Sequence, residues 1–329
     1  MTYIANADRY DKMNYCFCGN SGLKLPVMSV GLWHNFGYES NYENAKNIIL
    51  TSFDTGITHF DLANNYGPPA GSAEEMFGKI LHAELKSYRD ELIISTKAGY
   101  GMWDGPYGDG GSKKYLVSSL DQSLKRMGLD YVDIFYHHRP DTETPLVETM
   151  EALSSIVRQG KALYVGLSNY SPKQLKEASE ILKSMGVHCL IHQHNYSMLN
   201  QKNKELIPVL EEEGIGTIAF CPLAQGLLTD KYLHGIPSDS RAAGNSVFLG
   251  KDAITPELLD KIGKLNEIAK KRGQKLSQMA LIWALQTGKL TSVILGASRP
   301  SQITDNVEAL KNQHLSEEEL KEVEAVLGE

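Results

Sequence analysis

The stretch Lys125-Arg126-Met127-Gly128-Leu129-Asp130-Tyr131-Val132-Asp133-Ile134-Phe135-Tyr136-His137-His138-Arg139-Pro140 passes from helix to strand to polar exit in one short segment. Upstream, Lys113 to Met127 has helical periodicity. Gly128 then fits the left-handed C-cap of a helix-to-strand turn. Val132 to His137 follows as a continuous run of strand-forming residues without polar alternation, the pattern of a parallel strand buried on both faces. The run ends in His137-His138-Arg139-Pro140, a polar cluster where a β-to-α loop begins.

The same unit recurs along the chain. Strands are predicted at Met28 to Leu32, Ile57 to Asp61, Leu92 to Thr96, Val132 to His137, Ala162 to Leu167, Cys189 to Gln193, Gly216 to Cys221 and Ser292 to Gly296. Helical periodicity lies over Tyr42 to Asp54, Ser72 to Leu85, Lys113 to Met127, Pro145 to Gln159 and Ser171 to Met185. Ser171-Pro172 with Gln174 reads as N-cap, N1 proline and capping-box partner; Thr255-Pro256 and Ser316 with Glu319 repeat the theme. Gly56, Gly160, Gly186 and Gly214 stand where Gly128 does, just before a strand. A strand–helix repeat spaced by roughly 27 to 40 residues is what βα units require.

The chain has 329 residues, which leaves two domains as a prior, but no low-complexity linker divides it. The expected fold is therefore one α/β (β/α)8 TIM barrel over residues 13–329, with 1–12 as an N-terminal extension. An N-terminal β-hairpin is expected over Tyr15 to Lys24, turning at Asn20-Ser21-Gly22. The long gap between strands seven and eight holds a polar loop, Gly235 to Gly250, and extra helices.

Composition sets the broad class. Apolar residues make up 42% and charged residues 22%, ordinary for a globular protein, and the net charge is −7. That balance argues against nucleic-acid or membrane partners, though not against a local phosphate site. No apolar run reaches transmembrane length, and Met1 to Asp11 lacks the apolar core of a signal peptide. With Cys16, Cys18, Cys189 and Cys221 giving no disulfide framework, a reduced, cytoplasmic protein is expected.

In a barrel of this kind chemistry sits where strands end. Strand two ends in Asp61-Leu62-Ala63-Asn64-Asn65-Tyr66-Gly67, strand three in Ser95-Thr96-Lys97 and strand four in His137-His138-Arg139. Asp, Tyr, Lys and His thus converge on one rim. A free phenol, with a pKa near 10, is a poor proton donor at neutral pH, and a nearby ammonium lowers that value. Asp61 would keep Lys97 charged and in place, and His138 would orient a carbonyl oxygen for protonation by Tyr66. The rim offers no plausible Ser or Cys nucleophile–base pair. Proton transfer coupled to a second event is the natural reading.

These motifs resemble the aldo-keto reductases. The resemblance rests on Asp-x-Ala-x-x-Tyr-Gly at Asp61 to Gly67, Ser-Thr-Lys at Ser95 to Lys97, and His-Arg-Pro at His138. Gly-Leu-Ser-Asn at Gly166 to Asn169 and Pro-Leu-Ala-Gln-Gly at Pro222 to Gly226 complete it. The segments Gly31 to Gly37, Ala63 to Gly71, Lys97 to Gly111 and Gly235-Ile236-Pro237 look like its bacterial L-glyceraldehyde 3-phosphate reductase branch, related to the potassium-channel β-subunits.

The resemblance implies hydride transfer from NADP(H) to a small aldehyde, with Tyr66 as general acid and Asp61, Lys97 and His138 around it. It implies that Ser168, Asn169 and Gln193 bind the carboxamide and that Phe220 stacks on the nicotinamide. Cys221, Pro222, Leu223, Gln225, Gly226 and Lys231 would follow the pyrophosphate, with Trp33 and Asp61 beside the cofactor. Gly296, Ser298, Gln302, Asp305 and Asn306 would hold the adenosine half. Lys231, Arg241 and Arg299 are candidates for a 2′-phosphate, although Gln302 stands where many relatives carry a basic residue. Trp33, Tyr66, Trp103, His138 and Arg139 would line the substrate pocket, where Arg139 meets a phosphate or pairs with Asp141. Such proteins are often homo-oligomers.

Two other classes compete. A nucleotide-sensing auxiliary subunit would keep the fold and act through a partner; the channel β-subunits typically carry Asn at the position of His138. A metal-dependent hydrolase would use His188, His192 and His194, but no carboxylate cluster accompanies them, and no metal is expected. Gly99-x-Gly101 with Gly105 departs from the Rossmann fingerprint. His34, His59 and His137 are expected to be packing residues.

Overall fold

The computed structural model describes residues 3–233, 235–237 and 250–328. Ten strands follow one another: β1 (Tyr15–Phe17), β2 (Lys24–Pro26), β3 (Met28–Gly31), β4 (His59–Asp61), β5 (Ile93–Ala98), β6 (Val132–His137), β7 (Ala162–Ser168), β8 (Cys189–Asn195), β9 (Gly216–Phe220) and β10 (Ser292–Leu295). Strands β3 to β10 close a barrel in the order β10-β3-β4-β5-β6-β7-β8-β9, every pair parallel. This is the (β/α)8 barrel expected from the strand runs. The hairpin is present too, with β1 antiparallel to β2.

Helices α1 (Tyr42–Asp54), α2 (Ser72–Ile80), α3 (Lys113–Met127), α4 (Leu146–Arg158), α5 (Pro172–Ser184) and α6 (Leu206–Glu213) alternate with the strands. Between β9 and β10 lie α7 (Pro256–Lys271) and α8 (Leu276–Thr287); α9 (Pro300–Val307) and α10 (Glu317–Leu327) finish the chain. Local chemistry explains the boundaries. Ser171 and Ser316 form complete capping boxes with Gln174 and Glu319, and the Thr255 side chain accepts from Leu258 N–H. Gly56, Gly128, Gly160, Gly186 and Gly214 all take positive φ, as the C-cap reading requires.

Two element assignments are corrected, and one helix is added. The helix expected over Ser72 to Leu85 is α-helical only to Ile80; it widens into a π turn over Leu81–Leu85 and then tightens into a 3₁₀ turn. Helix α4 starts at Leu146, with Pro145 at its N-cap, because a proline ring fits the entry but supplies no N–H. Helix α6 had no expectation: it is short, and Pro208 sits in its first turn, where the missing N–H costs nothing.

Residues two apart share a face of each strand, so the barrel sorts its side chains by parity. Ile134, Tyr136, Ile191, Ile218 and Ile294 form an inner cluster, into which the hairpin inserts Cys18 and Leu25. Cys18 also lies against Gly216, the first residue of β9, so the hairpin plugs the N-terminal end of the barrel. The larger core lies outside the strands, against the helices. Gly166 of β7 faces inward, and a Cβ there would sit 2.5 Å from the Tyr136 ring; glycine is what lets that ring lie flat across the barrel. No disulfide joins any of the four cysteines, Cys16, Cys18, Cys189 and Cys221.

Among the described residues, five imidazoles are buried in or just outside this wall: His59, His137, His138, His192 and His194. Burial dominates each of them. It pushes His59, His137 and His194 down to about 4 and holds His138 and His192 well below the usual range. The folded chain leaves them neutral, whereas the unfolded chain protonates them near pH 6.5. Stability is therefore present above pH 6.5 and is lost as pH falls toward 4. Thermal unfolding followed at pH 7 and pH 5 should show a melting temperature lower by about 10 °C or more at pH 5. Equal melting temperatures would contradict neutral burial.

Candidate active site

The site grows from an ion pair. Register places Asp61 of β4 opposite Ser95 of β5, and Lys97 lies two residues further along the same inner face. Lys97 has no solvent exposure, and its ammonium spends all three protons locally. It donates to Asp61 Oδ2 at 2.6 Å, to the Leu62 carbonyl at 2.6 Å and to the Tyr66 hydroxyl at 3.4 Å. Asp61 Oδ1 accepts from Ser95 Oγ at 2.7 Å and from Gln193 Nε2 at 3.3 Å. Burial pulls the Lys97 ammonium below its ordinary value, opposed by Asp61.

Aromatic rings form the mouth. Tyr66 stacks on Trp33, with centroids 5.5 Å apart and planes at 16°, and meets the His138 ring edge-on at 6.0 Å. Tyr100 closes the other side of His138 at 4.7 Å. Burial raises the Tyr66 phenol well above 10, and the Asp61 charge adds to the rise. This corrects the expectation that Lys97 lowers it: desolvation of the phenolate, with a carboxylate behind the ammonium, outweighs one cation. His138 is neutral because burial and the nearby Lys97 charge both disfavour imidazolium. The rim thus holds a protonated phenol, a neutral imidazole and an ammonium–carboxylate pair around one opening.

A family model described as aldo/keto reductase family matches residues 27–327. The chain belongs to the aldo/keto reductase family. A protein named L-glyceraldehyde 3-phosphate reductase from Escherichia coli (strain K12) is 54% identical over 98% of this chain and 95% of its own length. A probable voltage-gated potassium channel subunit beta from Arabidopsis thaliana is 38% identical over 91% of each chain. A putative subunit of the same kind from Schizosaccharomyces pombe is 36% identical over 95% of this chain and 92% of its own. Membership makes the chain an oxidoreductase, and aldo/keto reductases generally use NAD(P)H.

The residues at the rim suit that cofactor. A Cβ built on Gly226 or Gly296 meets nothing within 4 Å, so there is open space at both glycines. Cys221 and Gln225 take left-handed backbone, as does Gly226, which turns the chain sharply as it leaves β9. Phe220 is half-buried at the end of that strand, followed by buried Pro222 and half-buried Leu223. On the next strands Ser168 and Asn169 lie beside His138: the Asn169 amide donates to the His138 carbonyl and to Ser168 Oγ, both at 3.1 Å. Amide and hydroxyl groups on adjacent strand ends are the donor set a carboxamide needs. Lys231 is exposed, and Arg241 lies outside the described residues. At α9, Gln302 accepts from the Ser298 N–H at 2.8 Å, exposed Arg299 is the N-cap and Asn306 is buried. Asp305 pairs with Lys275 at 2.8 Å.

The Arg139–Asp141 pair is corrected, and the remaining candidates have these neighbours. Arg139 does not pair with Asp141: it pairs with Asp109 at 2.9 Å, donates to the Gly99 carbonyl and lies over the Tyr100 ring. Asp141 instead accepts from Gly111 N–H and the Thr144 hydroxyl. Trp103 packs on Tyr115 with centroids 5.1 Å apart. His188 is exposed and parts company with buried His192 and His194, whose Nδ1 atoms are 3.3 Å apart. His137 faces outward and bonds the Tyr170 hydroxyl at 2.6 Å, as packing implies. Three side chains at the rim carried no role in the sequence reading: Tyr100, Tyr136 and Ser95, the last quoted only as part of a motif. The signal was parity, because Ser95 shares Lys97's face and Tyr136 shares that of His138.

Replacing Lys97 with Met should leave Asp61 buried without its cation. The expected loss in unfolding free energy, read by urea denaturation, is about 3–5 kcal/mol. A loss within about 0.5 kcal/mol would show that Asp61 does not depend on the pair.

Proposed function

We propose that this protein reduces small aldehydes to primary alcohols with NADPH, and that Tyr66 donates the proton. The observation that carries this reading is the fully buried Lys97, which touches Asp61 and Tyr66 at once. The phenol carries its proton at the barrel mouth, and the Lys97 ammonium beside it offsets the charge left on the phenolate once that proton passes to an oxygen that is gaining charge. A reduced nicotinamide held there would supply a hydride to the aldehyde carbon. Tyr66 gives its phenolic proton to the aldehyde oxygen. Lys97 stands beside the phenolate left behind, Asp61 balances Lys97, and neutral His138 orients the carbonyl oxygen. The Trp33, Tyr66 and Trp103 rings wall the pocket against water, with Arg139 at its edge.

The family's pattern of cofactor contacts supports the following roles. Ser168, Asn169 and Gln193 would hold the carboxamide and Phe220 would stack on the ring. The loop from Cys221 to Gly226, with Lys231, would follow the pyrophosphate. Gly296, Ser298, Arg299, Gln302, Asp305 and Asn306 would take the adenosine half, with Trp33 beside the cofactor. Arg241, Lys231 and Arg299 favour a 2′-phosphate and therefore NADPH. The substrate class is a triose phosphate, methylglyoxal or a similar small aldehyde, supported by the 54% identical relative's name. One domain, residues 13–329, carries the reaction in the cytoplasm, with 1–12 as an extension. The auxiliary-subunit reading finds support only in relatives at 36–38% identity, and His138 favours an enzyme.

Tyr66→Phe removes the acid and little else. Aldehyde reduction should fall by about 1000-fold while NADPH binding, followed by fluorescence titration, changes less than about twofold. Retained turnover would take the role from Tyr66. Arg241→Ala should weaken NADPH by about tenfold and leave NADH nearly unchanged. Equal losses for both would show that Arg241 does not read the 2′-phosphate.

A further inference from the structure

Behind Asp61 a line of polar side chains runs down the inside of the barrel. Ser292 Oγ lies 2.7 Å from Ser29 Oγ, and Ser29 Oγ lies 2.9 Å from His59 Nδ1. His59 Nε2 lies 3.0 Å from Ser95 Oγ, and Ser95 Oγ lies 2.7 Å from Asp61 Oδ1. Every member is buried. The line crosses β10, β3, β4 and β5, all on their inner faces, beside the cluster of Ile134, Tyr136, Ile191, Ile218 and Ile294.

Its direction is determined by its end. Asp61 forms an ion pair with Lys97 and can only accept. Ser95 must therefore give its hydroxyl proton to Oδ1, since two acceptors 2.7 Å apart without a proton would repel. With that proton spent, Ser95 can only accept from His59, so Nε2 carries the imidazole proton. Nδ1 is then bare and accepts from Ser29, which in turn accepts from Ser292. The reverse direction would point an oxygen lone pair at a carboxylate. His59 is held neutral by burial, which keeps this single tautomer possible; the charged groups facing it are Asp61 and Lys97.

We propose that His59 is a positioning residue: it keeps the Ser95 proton on Asp61 Oδ1, so that Oδ2 stays aimed at Lys97 and Lys97 at Tyr66. Ser95 has an alternative acceptor, the Phe60 carbonyl at 3.5 Å. Without a donor at its oxygen, Ser95 is free to turn away, and Asp61 Oδ1 is left with the long Gln193 contact. The carboxylate can then rotate, and the ammonium loses its fixed place beside the phenol. The proposal rests on the reading of Tyr66 as proton donor only for its kinetic consequence; the tautomer is a property of the resting protein.

The test has two arms on the full chain. In the first, protein labelled with ¹⁵N-histidine is examined without substrate by long-range ¹H–¹⁵N correlation. His59 should show a protonated Nε2 and a bare Nδ1; a protonated Nδ1 overturns the proposal. In the second, methylglyoxal reduction with NADPH is compared for the wild type, His59→Leu, His59→Gln and Ser29→Ala. His59→Leu should lower kcat by about tenfold with KM within about twofold, as loss of a charge-linked hydrogen bond implies. His59→Gln, whose amide can still donate to Ser95, should recover most of kcat. Glutamine no better than leucine, or leucine at the wild-type rate, overturns it. If His59→Leu does not fold, Ser29→Ala, which removes one oxygen, should still lower kcat about threefold and let the second tautomer appear. A single unchanged tautomer with unchanged kcat there overturns it. A wild type that reduces no aldehyde would defeat the functional reading alone, and the His59 tautomer would still decide the relay.

Discussion

One buried ammonium organises this molecule. Lys97 is surrounded by protein on every side, and removing its charge from water is costly unless that charge is paired and each proton is used. The barrel meets both conditions at once. Asp61 faces it from the neighbouring strand, the Leu62 carbonyl comes from the loop just beyond, and Tyr66 comes from the same loop. These partners depend on the parallel register of β4 and β5: a slip of one residue would turn Lys97 outward, into the apolar layer under the helices. The charge pair therefore constrains the strand register as much as the strands position the pair.

The same parity divides the histidines into kinds. His59 faces the barrel interior and hydrogen-bonds the Ser29 and Ser95 hydroxyls; His138 faces the mouth, between two tyrosine rings. His137, His192 and His194 point outward, where Tyr170 lies between them: its hydroxyl bonds His137 and its N–H donates to His192 Nε2. All five are neutral for the same reason, desolvation, yet only those on inner faces connect to the rim that holds Asp61, Lys97 and Tyr66. Adjacent residues on one strand thus have unrelated roles. The closing hairpin matters here as well. Cys18 and Leu25 pack into the inner cluster at the far end from Tyr66.

Much of this was legible in the chain. Continuous strand runs, helix caps and C-cap glycines come from local sterics and hydrogen bonding, and they reappear where expected, at Ser171, Ser316 and Gly128. Asp61, Tyr66, Lys97 and His138 were legible because strand ends in a barrel share one rim. Elements without a strong local signal were not: α6, with Pro208 in its first turn, and the widening of α2 past Ile80. Nor was the partner of Arg139, since Asp109 and Asp141 are both within reach of a flexible guanidinium and only the packing of two loops chooses between them.

By itself, the sequence determined the repeat of strand and helix, its closure into one barrel, and which residues stand at the strand exits. These follow from short-range preferences and a period that local chemistry enforces. Only the tertiary structure decided the electrostatics. Whether Lys97 lowers the Tyr66 phenol or burial raises it depends on how much water and how many charges surround the ring, and these come from strands far apart in the chain. The polar line from Ser292 to Asp61 joins residues more than two hundred positions apart, and its proton direction exists only once the barrel closes. Sequence places groups on faces; folding removes the water that would have made their arrangement unimportant.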